Sequence, residues 1–281
     1  VITLTTNSPQ VMRGSNNSVS YKSSLGLTED LPILHYKFNE TVGATTFNTS
    51  AGLSAVGTLK TTPSFGTGKI SNGLIFADSQ GIEVPVTSLT NSELNKLGGT
   101  TSQYSVVLWI NSNHSINPTK RILEKSSGTY PFVIREVTGT TGKLFLSLWD
   151  RISNPSCEET ILSNGWHHYC WVIDRENTIT LYKDNVLDKI VIDRTVGDIS
   201  NTIGLSWGNV TGSVFGRAFV GTIDDFRIYD KILGSDEVGA IYQYGIGTEK
   251  YNTESIKNTY KLSSLVTINA NEQSITLKEV A

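Results

Sequence analysis

From Leu31 onward, apolar and polar residues alternate in short runs. Leu34, Tyr36 and Phe38 interleave with Ile33, His35 and Lys37, the period of two expected of a strand with one buried face. Similar runs, parted by turn-forming residues, recur at 74–77, 82–86, 104–111, 121–124, 132–136 and 143–149, then at 166–174, 178–183, 187–192, 202–207 and 219–229. So many short strands predict an all-β sandwich. Helical signals are few. Thr90 with Glu93 makes a capping box ahead of a turn or two ending near Leu97. Ser235 caps a short helix whose Val238, Ile241 and Tyr242 share one face, with Gly245 placed to end it.

The ends have a different texture. Residues 1–29 are rich in Ser, Thr and Asn without a sustained period, and 247–281 are polar again. An extra strand is readable near Leu265, Thr267 and Asn269. Such segments lack a core of their own and order only where a partner offsets their conformational entropy. The expected plan is an N-terminal arm (1–29), a sandwich (30–246) and a C-terminal extension (247–281). The chain opens on Val1 with its single Met at position 12 and shows no leader pattern, so a processed or incomplete start is expected.

Composition narrows the function classes. Of 281 residues, 38% are hydrophobic, 17% charged and 9% aromatic, with 25 Gly, which suits a globular β protein and not a disordered one. A net charge of −3 supplies no basic field to gather phosphates, so nucleic acid is an unexpected partner. No apolar run approaches the roughly 18 residues of a membrane helix, so insertion is not expected either.

Four phrases carry a resemblance. They are Asn72-Gly73-Leu74-Ile75-Phe76 with Gly81-Ile82-Glu83-Val84, then Tyr104 to Ile110, then Trp166 to Asp174 with Thr178 to Asn185, and last Gly221 to Tyr229 with Ile232-Leu233 and Glu237-Val238. In this order they resemble the laminin-G-like domains of the concanavalin-A-like lectin and glucanase superfamily over about residues 31–246. The resemblance implies an antiparallel jelly-roll β-sandwich with extended arms. It leaves function open, because this fold hosts lectins, adhesion modules, toxin domains, hydrolase accessory domains and viral structural proteins.

Catalysis is not expected. Glucanases of this fold use a Glu-x-Asp-x-Glu strand, since a retaining glycosidase needs two carboxyl groups about 5 Å apart, and no such triplet exists here. Asp224 and Asp225 are consecutive, so strict alternation sends them to opposite faces, with Asp224 beside Phe226 and Ile228. Glu158-Glu159 has no third carboxylate near it. Gly204-Leu205-Ser206-Trp207-Gly208 spells a nucleophile elbow, but no helix signal follows and every His lies at or before position 168.

Binding is the better expectation. The resemblance implies a Ca²⁺ site at the rim, with Asp224 at the acidic position and Asn48 where many relatives carry Asp. The alternative is that Asp224 accepts backbone N–H bonds from the loop 41–50 without metal. Tyr130, Trp149, Asn154, Trp207 and Asn209 are candidate glycan contacts on loops, while Trp149 and Trp207 also suit the ends of core strands. His167 and His168 are expected to pack in a hairpin with one ring nitrogen bonded. Cys157 and Cys170 are read as free buried thiols, one bridge staying open should Asn164-Gly165 form a hairpin. Sequons at Asn16, Asn39, Asn48, Asn113 and Asn209 suggest surface loops.

Coreless ends around a sandwich suggest arms that dock on neighbouring protein subunits. The expectation is a non-catalytic structural or recognition protein displayed on a large assembly, a virion or surface appendage, with a loop rim that takes glycan or protein. The alternatives are a free secreted carbohydrate-binding lectin-like module and, third, a glycoside hydrolase. The expected location is extracellular or on a virion surface.

Overall fold

The computed structural model describes residues 2–5, 32–47, 49–50, 55–85, 97, 99–112, 120–125, 132–136, 143–149, 155–160, 164–193, 197–199, 204–208, 219–246 and 274–277. The chain divides into two compact units. One comprises residues 1–29 and 250–281; in it β1 (Ile2–Thr5) pairs antiparallel with β18 (Ser274–Leu277), so the two ends of the chain meet in one two-stranded sheet. The other, residues 30–249, is a sandwich.

Its strands in chain order are β2 (Leu34–Tyr36), β3 (Thr45–Phe47), β4 (Val56–Lys60), β5 (Ser64–Thr67), β6 (Asn72–Phe76), β7 (Gly81–Val84), β8 (Gln103–Ser112), β9 (Lys120–Lys125) and β10 (Phe132–Glu136). They continue with β11 (Leu144–Leu148), β12 (Ser156–Glu158), β13 (Gly165–Asp174), β14 (Thr178–Lys183), β15 (Val186–Ile192), β16 (Leu205–Gly208) and β17 (Gly221–Tyr229), followed by α1 (Ser235–Ile246). One sheet runs β15-β14-β13-β8-β17-β6-β5, with β2 also on β17; the other runs β12-β11-β10-β9-β16-β7-β4-β3, and the ladders within both are antiparallel. This is the expected jelly-roll sandwich.

Alternation places the core. Tyr104, Val106, Leu108 and Ile110 of β8 and Tyr169, Trp171 and Ile173 of β13 face the inside, where they meet Phe132, Ile134, Leu146, Leu205 and Trp207 from the opposite sheet. The other side of β8 and β13 carries Val107, Cys170 and Val172, which pack under Val238 and Ile241 of α1. The amphipathic helix covers this side. Cys157 belongs to the inner core and Cys170 to the layer under the helix, and both are free thiols. Cys157 is on β12 of the second sheet, facing the inner core, and Cys170 is on β13 of the first sheet, facing α1, so the bridge left open above does not form.

The turn at Asp184 and Asn185 has φ of 51° and 65°, the left-handed pair of a type I′ hairpin. The nucleophile-like phrase 204–208 is β16, with the Ser206 hydroxyl donating to the Glu124 carbonyl, so no elbow forms there. The expected turns at 90–97, apart from Leu97, and the extra strand near 265–270 lie outside the described residues.

Candidate functional site

A β-bulge in the last strand creates the site. The pairing of β17 with β8 slips between Asp224 and Arg227, and Asp225 takes a positive φ of 49°. Such a bulge adds one residue and re-aims side chains. Strict alternation is therefore wrong for this strand: Ile223, Phe226 and Ile228 all face the core, while Asp224 and Asp225 line one shallow depression with Lys37, Asn39, Ile70 and Tyr244. The two acids share a site and do not point apart.

Asp224 is fully buried, and its Oδ2 accepts the backbone N–H groups of Lys69 and Ile70, both at 2.7 Å. The expectation of architectural N–H donors holds in kind, but they come from the loop between β5 and β6 and not from 41–50. Gly68 lets this loop descend, because a Cβ there would lie 2.5 Å from the Asn72 backbone and 2.6 Å from Asp224 Oδ2. Burial, with the Asp225 charge adding to it, pushes the Asp224 carboxyl up to about 7 against the opposing N–H bonds.

Asp225 behaves in the opposite way. Arg227 donates to both of its oxygens, and the His35 Nε2–H donates to Oδ1 at 2.7 Å. Burial alone would raise this carboxyl, yet Arg227 and His35 outweigh it and hold Asp225 well below the ordinary carboxylate range. Burial lowers the His35 pKa, with the Asp225 hydrogen bond pulling the other way. Beside this group, Arg227 lies 5.3 Å from the Tyr244 ring and the Lys69 ammonium 4.8 Å from the Trp109 ring.

Calcium coordination calls for six to eight oxygens, carboxylates among them. Asp224 Oδ1 and Asn39 Oδ1 are buried without a hydrogen-bond partner among the described residues, and both residues line the depression. These oxygens fit the first ligands of a hard cation. No group of three His, Cys, Asp or Glu able to hold a metal occurs among the described residues, so backbone carbonyls and water would complete the shell. Asn39 is the ligand-type residue that sequence reasoning missed; it follows β2 by three residues, and alternation carries no signal for it. Asn48 lies outside the described residues.

The other expected contacts are dispersed. Trp207 is fully buried against Tyr36, Phe38 and Phe226, with ring centroids 5.3, 6.4 and 5.1 Å away. It belongs to the core and cannot touch a ligand. Of the two readings the sequence left open for Trp207, glycan contact or the end of a core strand, the second holds. Trp149, just past β11, is half-buried. Tyr130, Asn154 and Asn209 lie outside the described residues. The outer face of the second sheet, by contrast, carries unforeseen polar groups. Arg121 pairs with Glu124 at 2.6 Å, and Arg135 lies 4.5 Å from the Phe145 ring.

His167 binds Asp184 at 2.6 Å through Nδ1, as expected of a hairpin histidine, whereas neither ring nitrogen of His168 has a hydrogen-bond partner among the described residues. Among the described residues, no helix is long and apolar enough to cross a membrane.

Comparisons with known proteins agree with this architecture. Domain 4 of the extracellular arabinanase AbnA from Geobacillus stearothermophilus, solved with arabinotriose, is 19% identical, with a TM-score of 0.56 over 76% of this chain and 99% of that one. The botulinum neurotoxin serotype D binding domain is 17% identical, with a TM-score of 0.59 over 75% of this chain and 51% of that one. A botulinum neurotoxin type C structure described as entering cells through two ganglioside molecules is 14% identical, with a TM-score of 0.60 over 79% and 53%. The chain thus spans about half the length of the neurotoxin domains it matches. A comparison with curated proteins returned no match. The profile described as the concanavalin A-like lectin/glucanases superfamily, of laminin-G type, matches residues 78–239, and with more than half of the sequence inside that match the chain belongs to this superfamily.

Proposed function

We propose that the chain is a non-catalytic, lectin-like recognition module that acts outside the cell, with glycan as its ligand class. The supporting observation is that four buried acids of the sandwich are committed to fixed partners, while Asp224 keeps one oxygen open and has no second free carboxylate facing it among the described residues. Asp225 is held by Arg227 and His35, Glu124 by Arg121, Asp193 by Arg175, and Glu159 by Tyr169 and Lys183. Glycoside hydrolysis needs two carboxyl groups facing each other across room for a sugar. Here the acids serve structure. Neighbours of the same fold were solved with arabinotriose or described with gangliosides, which is compatible with a sugar ligand. Half-buried Trp149 offers a stacking face at the end of β11. Calcium at Asn39 and Asp224 would fix the loop 68–71 beside the rim.

A glycan array probed with the full chain, with calcium and with EDTA, tests this reading. Saturable binding of at least one glycan is expected, weakened by Trp149→Ala. Release of reducing sugar from any oligosaccharide on the array would overturn the non-catalytic assignment.

A second reading concerns the ends. Both termini contribute to one unit apart from the sandwich, which favours a role in docking the module on protein subunits of a larger assembly such as a virion or surface appendage. Chains lacking 1–29 and 250–281 should then fold but fail to enter the assembly; normal incorporation would remove the idea.

A further inference from the structure

His168 lies on β13, fully buried, at the place where α1 meets the sheet. Its ring is 5.0 Å from that of Trp109 on β8 and 5.6 Å from that of Tyr242 on α1, and Tyr242 itself stacks on Trp109 at 5.6 Å and 21°. The next turn of the helix is equally close: a Cβ on Gly245 would come within 2.3 Å of the Trp109 indole nitrogen. The imidazole is thus wedged between an aromatic floor and an aromatic lid, with neither nitrogen hydrogen-bonded among the described residues.

A neutral ring tolerates such a place, whereas a protonated one carries two N–H donors and a charge with nowhere to put them. The charged groups around it offer little relief. Asp184 spends Oδ1 on the His168 backbone N–H and Oδ2 on His167, while Asp225 is occupied by Arg227 and His35. The Arg227 cation repels an imidazolium, and Lys69 sits on the Trp109 ring. Tyr242 presents its ring, and the acids of α1, Asp236 and Glu237, belong to its first turn. Burial lowers the His168 pKa to about 4, in the same direction.

We propose that His168 is an acid-sensitive latch: its protonation releases α1 from the first sheet and uncovers the apolar layer of Val107, Cys170 and Val172 that packs under Val238 and Ile241. The folded pKa is depressed, so the docked state is fully held above the unfolded value near 6.5 and loses its hold as pH falls toward 4. The released surface is apolar. An acidic compartment would therefore change which partners this face can meet.

The molecule carries its own reporters. Cys170 lies under α1 and Cys157 in the inner core, so helix release exposes the first alone and global unfolding exposes both. The full chain is labelled with 4,4′-dithiodipyridine, which reacts with thiols in acid, between pH 7 and 4, and each cysteine is followed by mass spectrometry. Cys170 labelling is expected to rise at least tenfold across this range, after correction for the intrinsic pH dependence of a model thiol, with Cys157 protected. The rise should vanish in His168→Phe. Should that variant misfold, His168→Gln supplies the same uncharged test, and Tyr242→Ala should open Cys170 already at pH 7. Constant protection of Cys170, joint exposure of both cysteines, or an unchanged rise in a folded His168 variant each overturns the latch.

Discussion

Arg227 reaches back along its own strand to hold Asp225, with Nη2 2.7 Å from Oδ2 and 3.0 Å from Oδ1. Both side chains are nearly buried, with 11% and 4% exposure, so neither charge has water as an alternative partner. Removing one member of such a pair strands the other, at a cost of about 3–5 kcal/mol, whereas replacing both by neutral groups of similar volume is often tolerated. Arg227→Met should therefore lower urea-unfolding stability by that amount, and Asp225→Asn with Arg227→Met should recover most of it. Equal loss in the single and double variants would mean that packing, not charge, is what Arg227 supplies. The Asp225 pKa is depressed, so its share of stability is present above about pH 4 and is lost below that as acid protonates it.

Asp224 has the opposite sign. Its folded pKa of about 7 lies above the unfolded value, so its contribution is fully present below about pH 4 and is lost as pH rises through 7. Three units correspond to about 4 kcal/mol, an upper bound for the cation-free protein. Asp224→Asn should remove that slope from a pH series of denaturation curves. A cation competes with the same proton, so calcium binding should release protons and weaken as pH falls below 7. Titration calorimetry in two buffers of different ionisation enthalpy reads both effects. No heat, with no change in Tm between EDTA and millimolar calcium, would confine Asp224 to holding its loop.

The two tryptophans proposed from sequence should part company. Trp207→Ala empties the middle of the aromatic group around Tyr36, Phe38 and Phe226 and is expected to cost about 3–5 kcal/mol. Trp149→Ala, half-buried at a strand end, should lower Tm much less while reducing glycan binding. Unfolding curves and array signals for both variants, run side by side, check the assignment. A Trp207→Ala protein as stable as the parent would contradict its place in the core.

The long inner strands were legible for two reasons: β8 and β13 are nearly continuous apolar runs bounded by turn residues, buried on both faces, and β14 alternates with one face buried. Within the sandwich the strands missed were β3, β4, β5 and β12, which are short and rich in Thr, Gly or Ser, and whose apolar content is too small to set a period; outside it, β1 and β18 were missed too. The site was half legible. Asp224 was found because a carboxylate inside a core strand demands a partner. Its neighbours were not, since the bulge that turns Asp225 toward the same depression has no signature in alternation, and the Lys69 and Ile70 donors are backbone groups that any residue could supply. Trp207 stayed open between two readings because a large aromatic serves equally well as core or as sugar platform.

Gly68 connects that hidden geometry to a measurable outcome. No positive φ accounts for this glycine; what excludes a side chain is space, since the loop 68–71 crosses directly over Asp224. An added methyl would meet the Asn72 backbone and the carboxylate oxygen together, and neither can move without breaking the Lys69 and Ile70 bonds. Gly68→Ala should therefore cost about 1–3 kcal/mol, as overpacking does. The loss should shrink in the Asp224→Asn background, because the bonds it disturbs are weaker there; a coupling of at least about 0.5 kcal/mol in that double-mutant cycle is expected. Gly234→Ala, whose Cβ would meet only Glu237 Oε2 at 3.7 Å, serves as the control and should stay within about 0.5 kcal/mol of the parent. Full additivity of the Gly68 and Asp224 changes would show that the loop is held by something other than that carboxylate.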